Sequence, residues 1–97
     1  MNKIRECATA IRTKLPVIKI LLFGSSARGE TTENSDADFL VILKDNHGLT
    51  HPCYEAKLAV AKAKTGIPND IVIITESEEH NPNSYFIKEA LKEGIVL

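Results

Sequence analysis

Val17-Ile18-Lys19-Ile20-Leu21-Leu22-Phe23-Gly24-Ser25 and, ten residues later, Asp36-Ala37-Asp38-Phe39-Leu40-Val41-Ile42-Leu43 are the stretches on which the reading of this chain turns. The first is a short, nearly continuous apolar run rich in β-branched residues, the pattern of a buried strand, and the second apolar run reads as a second strand. The first breaks off at Gly24-Ser25-Ser26, a turn that opens a short helical segment around Ala27-Arg28. Gly29 to Ser35 is polar and reads as a loop. The second run is entered through an acidic pair. Unusual polar residues thus stand where the strands begin and end, and that is where chemistry is expected.

Working outward, Ile4, Cys7, Ala8, Ile11 and Leu15 recur at helical spacing and predict an amphipathic helix stopped near Pro16. Asp45-Asn46-His47-Gly48 is turn chemistry. Thr50 to Lys64 favours a helix, with Gly66 and Pro68 just past its end. Ile71-Val72-Ile73-Ile74 is a third strand, entered through Asp70. Asn81 caps a last helix with Pro82 at its first position, and Gly94 closes it. Ile95-Val96-Leu97 either adds a short strand or seals the core. The order α-β-α-β-α-β-α describes an α/β (α+β) domain, a small mixed sheet of about three to four strands with flanking helices.

The 97 residues fit one domain, near the small end of what folds without staples. A hydrophobic fraction of 43% and a charged fraction of 26% argue against disorder. Without tryptophan, the core falls to Ile, Leu, Val and Ala. The net charge of −1 removes the basic excess that drives non-specific nucleic-acid binding, so nucleic acid is not the expected partner. Cys7 and Cys53 have no metal-site spacing and read as two reduced thiols. No apolar run reaches the ~20 residues that span a bilayer and the first residues hold no signal core, so the expected location is the cytoplasm.

Two carboxylates spaced as Asp36-Ala37-Asp38 point to one face of a strand. Paired anions there repel unless a cation neutralises them, and hard oxygen donors of this kind suit Mg²⁺ together with substrate phosphates. Gly24 allows a close backbone approach, a helix start offers free N–H groups to an anion, and Ser25 adds a hydroxyl. Arg28, one turn further, places a guanidinium on the same side. Each element alone has a bland reading: a solvated strand start, an ordinary Gly-Ser turn, a turn aspartate at Asp70. Gly24 to Gly29 is neither a Walker A loop nor a dinucleotide fingerprint. His47, His51 and His80 share no ligand spacing, Lys57, Lys62 and Lys64 read as a solvated helix face, and Tyr54, Tyr85 and Phe86 read as core or interface.

Together, Gly24-Ser25, ten residues and Asp36-Ala37-Asp38 resemble the G-S-x10-D-x-D signature of the nucleotidyltransferase superfamily that includes DNA polymerase β. The longer stretches Phe23-Gly24-Ser25-Ser26-Ala27-Arg28-Gly29-Glu30 and Ser35-Asp36-Ala37-Asp38-Phe39 look like the minimal nucleotidyltransferases, small prokaryotic proteins that include MntA-like antitoxins. The likeness spans residues 1–97 as a single minimal nucleotidyltransferase domain of that fold. One departure is Asn69, where the family often has an apolar residue before its third carboxylate. Glu76 and Glu78 compete for that role but lie beyond the strand, at the end opposite Asp70.

The resemblance implies that Asp36, Asp38 and Asp70 are the catalytic and metal-binding carboxylates, holding two Mg²⁺ ions, with Asp70 either joining a metal or deprotonating the attacking hydroxyl. Gly24, Ser25 and Arg28 would bind the tail of a nucleoside triphosphate, with ATP the usual donor. It further implies transfer of AMP to a hydroxyl, in the MntA-like members a tyrosine of a HEPN-domain toxin. Two other readings remain open: transfer to a small hydroxylated molecule, as aminoglycoside nucleotidyltransferases do, and a non-catalytic protein that neutralises its partner by contact. Because so small a domain has little structure to enclose an acceptor, a partner protein or a second copy of the chain is expected to complete the site.

Overall fold

The computed structural model describes residues 2–24 and 37–97. Helix α1 (Asn2–Lys14) leads into strand β1 (Val17–Phe23), and strand β2 (Ala37–Leu43) runs back beside it. Helix α2 (Pro52–Ala63) then crosses to strand β3 (Asn69–Thr75). Helices α3 (Glu76–His80) and α4 (Tyr85–Glu93) and the two-residue strand β4 (Ile95–Val96) complete the chain. The sheet order is β3-β2-β1-β4. β1 is antiparallel to both β2 and β4, while β2 and β3 are parallel. A parallel pair needs a crossover, and α2 supplies it. The small mixed sheet with flanking helices is the one the sequence predicts.

Alternation along the strands divides the core in two. Ile20, Leu22, Phe39, Val41 and Leu43 face α1 and α2, where Cys7, Ile11, Ala56 and Val60 meet them. Leu21, Phe23, Leu40, Ile42 and Ile74 face Ala90, Ile87 and Leu91 of α4. Both faces of the central strands are covered, which is why they read as unbroken apolar runs rather than alternating ones. Cys7 is buried and Cys53 exposed, and both are free thiols. No described helix is long and apolar enough to cross a membrane.

The C-terminal third departs from the sequence reading. Asn81 does not cap the last helix; it ends α3, its N–H donating to the Ser77 carbonyl at 3.0 Å. Ser84 is the cap instead, its hydroxyl accepting from the Ile87 N–H at 3.1 Å. A proline at position 82 satisfies the rule for a helix start, but serine in extended conformation satisfies the hydrogen bond itself. The extra helix α3 is built from polar residues and buries none of them. It is held from outside: Ser77 donates its N–H and hydroxyl to the two oxygens of Asp45 (3.0 and 2.7 Å), and Lys19 pairs with Glu79 at 2.7 Å. The two bonds from Ser77 hold the Asp45 carboxyl below its ordinary value of 3.8. Glu78 reaches back to the Thr75 N–H (3.2 Å), and Glu76 accepts from the Asp45 N–H (3.3 Å). Both acids that compete with Asp70 are thus engaged with backbone N–H groups at the far end of β3.

Candidate active site

Strand register gathers three of the predicted residues, Gly24, Asp38 and Asp70. Asp38 and Asp70 each occupy the second position of a seven-residue strand, and they are direct partners across the parallel pair. Partners in register share a face and sit one strand spacing apart, ~4.8 Å. Asp38 also lies opposite Phe23 in the antiparallel pair, which sets Gly24 beside it. The site is therefore built where β1 ends and β2 and β3 begin. Alternation places Asp38 on the face of Leu40 and Ile42, the face covered by α4.

Gly24 has φ +74, and a Cβ on it would stand 2.6 Å from Asp38 Oδ2. The positive φ favours glycine, and any side chain there would push the Asp38 carboxylate aside. Asn69 takes its place in the same construction. Its side-chain amide donates to the Ile67 carbonyl at 3.2 Å, and the Ala37 N–H donates to the Pro68 carbonyl at 2.9 Å, fixing the entry to β3 beside the start of β2. The polar residue before the third carboxylate is a turn clamp.

A cavity of about 560 Å³ opens over these groups. Gly24, Asp38 and Asp70 line it with Phe23, Ile71 and Val72 from the strands, Lys57 from α2, and Phe86, Glu89, Ala90 and Glu93 from α4. The described lining thus holds four carboxylates against one ammonium, so a triphosphate would enter only with cations to neutralise it. A larger concavity of about 860 Å³, lined by His47, His51, Cys53, Tyr54 and Glu78, contains none of the predicted carboxylates. Volume does not decide between them; the convergence of charged groups does.

Three of the sequence-predicted residues, Gly24, Asp38 and Asp70, come together, while Ser25, Arg28 and Asp36 lie outside the described residues. Among the described residues no group of three or more His, Cys, Asp and Glu side chains could hold a metal ion. Asp38 and Asp70 supply two hard oxygen donors of the set the sequence points to, a donor chemistry that fits Mg²⁺. Lys57 is not simply part of a solvated helix face, since it borders the cavity. Phe86 is not core either: it is 53% exposed and packs edge-on against Phe23 with ring centroids 5.5 Å apart. The sequence does carry a signal for the α4 wall, because Phe86, Glu89, Ala90 and Glu93 follow the i, i+3, i+4, i+7 spacing of one helix face.

The chain is similar to known proteins over nearly its whole length. The model of the nucleotidyltransferase domain family matches residues 4–97. A Methanocaldococcus jannaschii protein, named provisionally as a protein adenylyltransferase, is 31% identical over 96% of this chain and 88% of its own. A solved structure named provisionally as a minimal nucleotidyltransferase superposes with a TM-score of 0.62 at 28% identity, covering 99% of this chain and 89% of that one. A Sulfolobus solfataricus structure, named provisionally as a nucleotidyltransferase, shares the fold with a TM-score of 0.58 at 20% identity, over 98% of this chain and 76% of its own. The chain belongs to the nucleotidyltransferase domain family.

Proposed function

We propose that the protein is a Mg²⁺-dependent adenylyltransferase that moves AMP from ATP to a tyrosine hydroxyl of a partner protein. The observation that carries this reading is the register pairing of Asp38 with Asp70 beside the Gly24 turn, inside one cavity. Asp36, Asp38 and Asp70 would hold the metal, which when bound neutralises phosphate charge and polarises the phosphoryl group. The Gly24 backbone, with Ser25 and Arg28, cradles the triphosphate tail, and Lys57 adds a cation from the opposite wall. Asp70, on the outer of the two strands, orients the acceptor hydroxyl and takes its proton. Holding attacking and leaving oxygens in line supplies much of the rate.

The acceptor class is supported by the name of the M. jannaschii relative and by the openness of a small domain to a second protein. Following the MntA-like resemblance, the partner is a HEPN-type toxin of the cytoplasm, silenced by the modification, and the chain is its antitoxin. Co-expression with the neighbouring gene product, followed by intact-mass spectrometry of that product, tests it. A partner heavier by AMP on tyrosine is expected. An unmodified partner, together with rapid AMP transfer by this chain alone to a small alcohol, would overturn the protein-acceptor reading.

A further inference from the structure

The chain contains two tyrosines, and the fold gives them different neighbours. Tyr54 lines the larger concavity, which contains neither Asp38 nor Asp70. Tyr85 opens α4, is 76% exposed, and donates its hydroxyl to Glu89 Oε1 at 3.2 Å. Glu89 lines the cavity that contains Gly24, Asp38 and Asp70. The Tyr85 hydroxyl therefore stands one hydrogen bond from the wall of the transfer site, already bonded to a carboxylate whose charge holds the phenol above its ordinary value of 10.0. An exposed phenol with that carboxylate at its oxygen is a nucleophile with its base in place.

We propose that Tyr85 is a self-modification site, receiving a nucleoside monophosphate from the triphosphate bound in its own chain. The inference rests on the adenylyltransferase reading above. In the reaction the Tyr85 oxygen bonds to the α-phosphorus and the bond from that phosphorus to the β-phosphate oxygen breaks. Pyrophosphate departs and the phenolic proton passes to Glu89. The product carries a phosphodiester on α4, next in sequence to Phe86 of the cavity wall. Glu89 acts as the base for this one acceptor and is not required for one brought by a partner.

The experiment is incubation of the full chain with Mg²⁺ and ATP, read by intact mass and peptide fragmentation, alongside titration of a non-hydrolysable ATP analogue. Wild type and Tyr54→Phe are expected to gain one AMP, while Tyr85→Phe gains none and still binds the analogue. Glu89→Gln keeps a hydrogen-bond acceptor but loses the base, and its self-modification should slow by roughly 10²-fold. The rate per chain should not change with protein concentration. An adduct on Tyr54 or a non-tyrosine residue, or a rate that rises with concentration, would overturn the assignment. No adduct on a chain that binds the analogue and modifies its partner would overturn it and leave the adenylyltransferase reading intact. No adduct and no analogue binding would overturn both.

Discussion

Gly24 lies directly against Asp38: a Cβ built on the glycine would fall 2.6 Å from the Asp38 carboxylate oxygen. Gly24→Ala therefore has two consequences. The positive φ of 74° costs a non-glycine residue roughly 1–2 kcal/mol, and the methyl displaces Asp38. We expect a lowered Tm from the first and loss of nucleotide transfer from the second. Thermal melts and a pyrophosphate-release assay separate them; a variant with wild-type transfer would show that the Asp38 position is not critical.

Asp70→Asn should abolish transfer without harming the fold. The side chain is exposed, and its in-register neighbour Asp38 carries the same charge. Removing a like-charge cross-strand pair favours the sheet by roughly 0.2–1 kcal/mol, most at low salt. A stable, inactive variant is the expected outcome. Circular dichroism melts at low and high salt check the stability, and single-turnover assays the activity.

Lys57 is exposed on α2, so Lys57→Met should leave stability unchanged while weakening ATP-analogue binding. One charge-assisted contact, partly screened by water, is worth about 1.4 kcal/mol, a tenfold change in Kd. Lys57→Arg should retain most of the affinity. Calorimetric titration of both variants distinguishes a phosphate contact from a merely bordering side chain.

The two candidate caps of α4 predict opposite results. Ser84→Ala should cost about 1 kcal/mol through the lost bond to Ile87, whereas Asn81→Ala leaves the backbone bond to Ser77 intact and should cost little. Urea melts of the two single variants decide it.

Asp45 gives a pH dependence. Its carboxyl is held below 3.8 by the bonds from Ser77, so the charged form is favoured in the fold. That stabilisation is complete above pH 3.8 and is lost as pH falls through the lowered value. Wild type should exceed Asp45→Asn in stability at neutral pH, and the difference should shrink below pH 3.8. Parallel melts across that range check the sign.

The sheet is legible in the sequence because β1 and β2 are buried on both faces, and unbroken apolar runs such as Ile20–Phe23 and Phe39–Leu43 are what two-sided burial selects. The pairing of Asp38 with Asp70 is only partly so: both acids are visible, but register is a tertiary property set by the α2 crossover. Helix α3 is hidden because it has no buried residue to impose a period and is fixed by Asp45 and Lys19, distant in sequence. Gly94 marks a helix end, as the sequence indicates, but not through a special backbone angle. Its φ of −66 is ordinary, and what demands glycine is the Ala90 carbonyl 2.7 Å from where a Cβ would lie. That Lys57 and Phe86 border the cavity escapes the sequence, because helix periodicity identifies a face, not what lies opposite it.

In the proposed mechanism nucleotide and metal bind over Asp38 and Asp70. Its most direct test is amide NMR of the chain titrated with a non-hydrolysable ATP analogue and Mn²⁺, whose paramagnetism broadens nearby signals. The mechanism requires broadening centred on Gly24, Asp38 and Asp70, reaching Glu89 and Ala90 on α4, and abolished in the Asp38→Asn, Asp70→Asn double variant. Broadening centred instead on His47, His51 and Glu78, or unchanged in the double variant, would contradict it.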